Sequence, residues 1–259
     1  MRDWLLNLPI PAMAVVIFAG SYFLAAIVHF CTVKLAVGER ARAFKALSPG
    51  MLPPLGIIFG LLVGFIAAQV WSDFEKAKVA VATEASALRT VNLLAAGLPE
   101  AQRERFQSLV RKHVDIAVND EWPAMAKHRA TLTALPAALT EALQATLAVA
   151  PADEGQRMTR SEILRALETA LDARRQRIII SQSSVSTVKW AGILLQALCA
   201  LVAIAMVHSD NRLTSLLALL IFSTGIALSV LLIAVYSQPF TGEVSVGPEL
   251  LKQVANHPQ

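Results

Sequence analysis

One apolar stretch of the chain carries a row of residues whose spacing suits ion conduction. Pro53, Ile57 and Leu61 recur every four residues, so on a helix they lie along one face. A ring of such apolar side chains around a shared axis can close a pore by expelling its water. The spacing therefore predicts an apolar constriction lined by these three residues.

A second row runs beside the first and consists of Gly56, Gly60 and Gly64. Small residues four positions apart let helix backbones approach closely in lipid. Two interpretations follow. The glycines pack the spans of one subunit together, or they let this helix pack beside copies of itself around a pore.

Charged residues that could form clusters follow this stretch: Glu84, Arg89, Asp120, Glu121, Arg174, Arg175 and Arg177. Glu84 and Arg89 share one predicted helix among small residues. Ordinary surface ion pairs there would contribute little to stability. The alternative is a ring of charge around a vestibule, which would attract or repel ions. We assign Glu84 and Arg89 to such a vestibule as a hypothesis.

No motif of an enzyme is present in the 259 residues. The sequence has no nucleophile elbow, no zinc-protease motif, no phosphate-cradling glycine loop and no paired His/Cys set. We therefore predict that the protein is not an enzyme and that it holds no cofactor or metal.

Four long runs without Asp, Glu, Lys or Arg must position these residues: Pro9–Val33, Met51–Ser72, Trp190–Ser209 and Leu213 to about Ser237. Each is long enough for the ~20-residue helix that crosses ~30 Å of hydrocarbon. Backbone groups in lipid need internal partners, which favours helices. A proton relay or ion-driven motor usually needs a carboxylate in a span, so the runs disfavour a pump.

Composition agrees with this assignment, since 55% of residues are hydrophobic and 16% are charged, against about 25% charged in soluble domains. We predict an all-α membrane protein with four transmembrane helices and a helical soluble segment between spans two and three. The predicted domains are a first transmembrane hairpin (1–72), a soluble helical domain (73–187), a second transmembrane hairpin (188–238) and an extended C-terminal tail (239–259).

The net charge of +4 and the pI of 9.3 raise the question of nucleic-acid binding. Segment 73–187 contains 15 Lys and Arg against 14 Asp and Glu. Such a balanced surface is not the basic footprint of a nucleic-acid binder. The expected partner is the lipid bilayer instead.

Three stretches of the sequence resemble a bacterial family described as bestrophin-like, whose function is unknown. They are FGLLVGFIAAQVWSDFEKAKVAVATEASALR at Phe59–Arg89, LPEAQRERF with EWPAM within Leu98–Met125, and QPFTGEVSVGPELL at 238–251. Together with the layout of the spans they cover most of the chain. A more distant likeness to bestrophins rests on the glycine-bearing second span, followed by a tryptophan and a long charged helix.

The resemblance to bestrophins implies a pentameric ring that passes anions such as chloride. Pro53, Ile57 and Leu61 would then match the apolar neck, although bestrophin necks carry aromatic side chains and these positions are not aromatic. No acidic calcium-binding cluster is evident, so we expect no gating by calcium. The expected location is the bacterial inner membrane.

The orientation of the chain is contested between two arguments. The loop between spans one and two holds Lys34, Arg40, Arg42 and Lys45 against Glu39. The excess of positive charge in this short loop favours its placement in the cytoplasm, with both termini outside. The likeness to bestrophins implies the reverse.

The sequence thus favours a homo-oligomeric membrane channel with a pore lined by the second span. The alternative is a structural or signalling membrane protein without transport, whose soluble helices dock a partner. A stator-like energy transducer shares the layout, but its spans would need a carboxylate.

Overall fold

The computed structural model describes residues 8–38, 44, 49–133, 135–151 and 153–256, and these are helical or irregular, with no strand. Its α-helices are α1 (Ile10–Leu35), α2 (Leu52–Ala95), α3 (Glu100–Ile116), α4 (Trp122–Ala126), α5 (Ala137–Ala148), α6 (Glu154–Gln182), α7 (Thr187–Val207), α8 (Arg212–Tyr236) and α9 (Glu249–Asn256). A 3₁₀ turn (Pro49–Met51) precedes α2, and a π-helix (Ala117–Glu121) joins α3 to α4.

The prediction of four transmembrane helices is confirmed. Helices α1, α2, α7 and α8 are long and apolar enough to cross a membrane. Helix α2 has 44 residues, more than twice the ~20 that a span needs. Its carboxylate-free part ends at Ser72, so the part from Asp73 onward lies outside the spanning segment. The loop residues Glu39, Arg40, Arg42 and Lys45, on which the orientation argument depends, lie outside the described residues.

The chain divides into two compact units, each built from two separate stretches of sequence. The membrane unit comprises residues 1–72 and 184–238 and contains the four spans. The polar unit comprises residues 73–183 and 239–259. Helix α2 contributes to both units, because their boundary falls at Ser72.

In the membrane unit, helix α1 packs along α8 and two polar pairs link them. The hydroxyl oxygens of Tyr22 and Thr224 lie 3.0 Å apart, and Nδ1 of His29 lies 3.3 Å from the Ser215 hydroxyl. Hydrogen bonds between membrane helices typically contribute ~1 kcal/mol each. The two pairs fix the register of α1 on α8.

In the polar unit, the later part of α2 packs with α3, α5 and α6 around one apolar core. Small and aliphatic residues of α2 at helical spacing, Ala77, Val81, Ala85 and Leu88, face this core. Large core side chains are Leu88, Phe106, Leu139, Ile163 and Leu167, all fully buried or nearly so. Helix α6 begins where the Asp153 carboxylate accepts a hydrogen bond from the Gln156 N–H at 2.7 Å.

The sequence predicts an extended tail after Pro239, but the tail is not extended throughout. It ends in helix α9, whose Leu251 and Val254 are buried in the core of the polar unit. The Trp122 indole N–H donates to the Val246 carbonyl at 3.2 Å, and its ring meets the Phe240 ring edge-on at 5.8 Å. These contacts hold the tail against the polar unit and stabilise its helix.

Beyond Ile116 the chain stays helical through Trp122 and Pro123. The chain widens into the π-helix, where the Trp122 N–H donates to the Ala117 carbonyl, and α4 then continues. Pro123 falls in the first turn of α4, where a missing N–H costs little.

Candidate functional site: the second span and a buried ion network

One face of the membrane part of α2 is packed inside the membrane unit. Phe59, Ile66 and Val70 are buried there, and their spacing of seven and four residues places them on one side of the helix. Phe59 also meets the Phe222 ring of α8 at 5.9 Å. This face fixes the rotation of α2 within the unit.

The opposite face carries the predicted pore row and is uncovered. Pro53 is exposed, Ile57 is 62% exposed and Leu61 is 55% exposed. The row continues one turn further to Phe65, which is 72% exposed. Sequence reasoning missed Phe65, although its spacing of four from Leu61 was the available signal.

Gly56, Gly60 and Gly64 also face open space in this chain. A Cβ atom added at any of the three would have no atom of the described residues within 4 Å, apart from its chain neighbours and the backbone of its own helix. Within one chain, therefore, no neighbouring helix closes on these glycines, and their role in helix packing, including contacts with another copy, stays a prediction.

Glu84 lies where the vestibule hypothesis did not place it. Its carboxylate is fully buried in the polar unit, whereas Arg89 on the same helix is exposed. Arg177 donates from Nε to Glu84 Oε2 at 2.7 Å and from Nη2 to Oε1 at 3.0 Å. Nε2 of His113 lies 2.9 Å from Oε1. Because the Glu84 carboxylate is enclosed in this way, it adds no charge to the protein surface. Of the two residues, only Arg89 is exposed.

The network extends from Arg177 to a second carboxylate. Nη2 of Arg177 also donates to Glu121 Oε2 at 2.8 Å, and Nε of Arg174 donates to Glu121 Oε1 at 2.7 Å. The Arg177 guanidinium lies 4.7 Å from the centre of the Trp122 ring and donates to the Met125 sulfur at 3.4 Å. Two carboxylates thus balance two guanidinium groups in the interior.

Burial by itself raises the pKa of the Glu84 carboxyl, but Arg177 and the His113 hydrogen bond outweigh it and lower the pKa from 4.5 to about 2. Burial lowers the pKa of Arg177, and the two carboxylates outweigh it in turn, so that this pKa is raised. Both groups stay charged at neutral pH. The Glu84–Arg177 pair is therefore a fixed arrangement of charge.

No group of three or more His, Cys, Asp or Glu side chains suited to a metal ion occurs within residues 8–38, 44, 49–133, 135–151 and 153–256. The sequence did single out Glu84, Glu121, Arg174 and Arg177 as candidates for charged clusters. Their pairing across three elements, α2, the π-helix and α6, was not readable from the sequence.

Comparison with known proteins identifies the family of this chain. The model of the bestrophin-like domain matches residues 19–251. The chain belongs to the bestrophin-like family. The match covers α1 from Ala19 onward, the other three membrane helices and the polar unit up to Leu251. The resemblance identified from the three sequence stretches is confirmed.

Solved structures share the bestrophin-like fold over nearly the whole chain. A tryptophan-to-alanine variant of a bacterial bestrophin homolog from Klebsiella pneumoniae has a TM-score of 0.72 at 12% identity, covering 92% of this chain and 94% of that one. A leucine-to-threonine variant of the same homolog gives 0.71 at 14% identity, covering 92% and 96%. A proline-to-alanine variant described as a membrane protein gives 0.70 at 11% identity, covering 94% and 96%. No curated protein matches the chain.

Proposed function

We propose that this bestrophin-like protein is a homo-oligomeric channel of the bacterial inner membrane. In the proposal it passes small inorganic anions such as chloride through a pore lined by α2. The resemblance to bestrophins suggests five copies around the axis. The proposed position of the pore depends on the exposed face of α2.

The observation that carries the proposal is the contrast between the two faces of α2. One face is buried by Phe59, Ile66 and Val70, while the opposite face exposes Ile57, Leu61 and Phe65. Gly64 on the same side leaves open space beside it. A helix with a packed face and an apolar, glycine-lined free face suits close approach to copies of itself.

The residues of the free face suit a neck that conducts when wet and closes when dry. Pro53, Ile57, Leu61 and Phe65 offer only apolar surface, with Phe65 supplying an aromatic ring at one end of the row. Apolar constrictions of this kind gate by dewetting. Because the spans contain no carboxylate, nothing in the neck would hold a cation by direct charge pairing.

Arg89, on the polar-unit part of α2, remains a candidate for the charge of the proposed vestibule. It is exposed, and an exposed guanidinium raises the local concentration of anions. Glu84 is excluded from this role, since its carboxylate is buried and bound by Arg177.

The test is ion flux in liposomes that hold the purified protein, with chloride and potassium gradients measured separately. We expect chloride flux to exceed potassium flux, and Ile57→Ala and Leu61→Ala to increase it by widening the neck. Ile221→Ala is the matched control, because Ile221 is also an exposed aliphatic residue but lies on α8.

Folded oligomeric protein that passes neither ion in wild type or in the widened variants would contradict the proposal. A non-transporting protein whose polar unit docks a partner would then be the better account. Equal effects of the α2 and α8 substitutions would reject the pore face alone.

A further inference from the structure

The polar unit contains a cavity that the proposed channel does not use. Its volume is about 370 Å³, and it lies among the end of α3, the π-helix, the α4–α5 connection and α6. Its walls carry charged groups of both signs beside aliphatic side chains. This volume is in the range of small-molecule sites, whose walls are apolar with a few placed polar groups.

Two local departures from regular helix shape the cavity. The π-helix shifts the register of the chain at Asp120 and Glu121, which both line the cavity. π-Helical turns are rare and occur often at functional sites. Just after α4, His128 adopts a φ of 53°, and its Nδ1 lies 2.6 Å from the Ser181 carbonyl oxygen. This turn holds the following residue, Arg129, at the cavity wall.

The charged groups of the wall are unequally engaged. Both oxygens of Glu121 are taken, one by Arg174 and one by Arg177. In contrast, the carboxylate of Asp120 and the guanidinium of Arg129 have no hydrogen bond or ion pair with any described residue. The cavity therefore offers one free negative group and one free positive group, with the Arg174 guanidinium nearby.

The remaining wall is apolar. Ile116, Leu135 and Ile178 line it, and Ile178 is almost fully buried. An inorganic anion would leave Asp120 and this surface unmatched, and a cation would leave Arg129 unmatched. A molecule that carries both charges and an apolar group satisfies all three.

We propose that this cavity binds an apolar amino acid. Its carboxylate would pair with Arg129 beside Arg174, its ammonium group with Asp120, and its side chain would pack on Ile116, Leu135 and Ile178. Charge-assisted hydrogen bonds from a guanidinium to a carboxylate are among the stronger ones. The inference depends on the polar unit alone and not on ion conduction.

The test is titration calorimetry of the full-length protein in detergent with three matched probes. Leucine carries both charges, 4-methylpentanoate lacks the ammonium group, and 3-methylbutylamine lacks the carboxylate. We expect leucine to bind and each analogue to bind at least about ten-fold more weakly, because each loses one charge-assisted interaction.

Substitutions assign the two charges. Arg129→Gln should reduce leucine affinity by about ten-fold or more, and Asp120→Asn should bring leucine close to 4-methylpentanoate. Both residues are exposed, so the fold should tolerate the changes. Arg157→Gln is the control, since Arg157 is exposed on α6 and does not line the cavity.

Three results would overturn the proposal. They are no binding of any probe, equal binding of all three probes, or leucine binding that Arg129→Gln and Asp120→Asn leave unchanged. Each is measured by binding and not by flux, so a failure here leaves the channel proposal standing and the reverse also holds.

Discussion

Arg177 lies fully buried between the carboxylates of Glu84 and Glu121, with the Trp122 ring against its guanidinium. A buried ion pair adds little net stability over apolar residues of the same shape. Removal of one partner is different, because the remaining charge stays buried without compensation. At the scale of single residues, the buried charges are therefore stable only when α2, α6 and the π-helix keep the packing that pairs them.

Glu84→Gln should destabilise the polar unit by ~3–5 kcal/mol, since it removes the carboxylate that binds Arg177 through two hydrogen bonds. Thermal unfolding in detergent measures the change. Glu162→Gln is the control, because Glu162 forms an exposed pair with Arg165 and should change stability by less than ~1 kcal/mol. Equal shifts in the two variants would contradict a structural role for the buried pair.

The same carboxylate predicts how stability depends on pH. Folding lowers the pKa of Glu84 from 4.5 to about 2, so the unfolded chain binds a proton first as the pH falls. The contribution of Glu84 to stability is complete above pH 4.5 and is lost as the pH falls toward 2. Unfolding measured across this window should show a steeper acid loss in wild type than in Glu84→Gln. If the stability of the two proteins falls in parallel with pH, Glu84 does not contribute to the pH dependence in this way.

At the scale of elements, the sequence predicts the spans well and the connections poorly. Long carboxylate-free runs have few physical solutions in lipid, so α1, the membrane part of α2, α7 and α8 follow from composition. The pairing of Glu84 with Arg177 joins residues 93 positions apart, and no local pattern encodes such a distance. The spacing of Pro53, Ile57 and Leu61 was enough to predict that they share one face of α2. Only the packed structure shows that no other described helix of the chain covers that face.

Helix α9 shows why the tail escaped prediction. It has eight residues, fewer than an isolated helix in water needs, so tertiary packing must stabilise it. Leu251→Ala should therefore cost the polar unit ~2–5 kcal/mol, because the Leu251 side chain is fully buried. Leu250→Ala is the neighbouring control at an exposed position and should have little effect on the unfolding midpoint. A tail that contributes nothing would leave both variants at the midpoint of wild type.

At the scale of the whole molecule, the proposed pore needs more than one copy, because a single chain leaves the α2 face without a partner. Gly60→Leu tests this directly. The position has open space in one chain and leucine suits both lipid and helix, so the protomer should fold. A neighbouring helix packed closely on the glycine stripe would be forced away. We expect loss of oligomer mass by light scattering in mild detergent, together with loss of chloride flux.

Gly20→Leu separates this effect from a general one. Gly20 lies on α1 and also has open space around it in one chain, so a leucine there adds the same bulk to a different span. If assembly depends on the α2 stripe, Gly20→Leu keeps the wild-type mass and flux while Gly60→Leu loses both. If the two variants lose mass equally, the stripe has no special place in assembly. If wild type itself is a monomer, there is no shared axis and the pore proposal fails, whatever the flux of the variants.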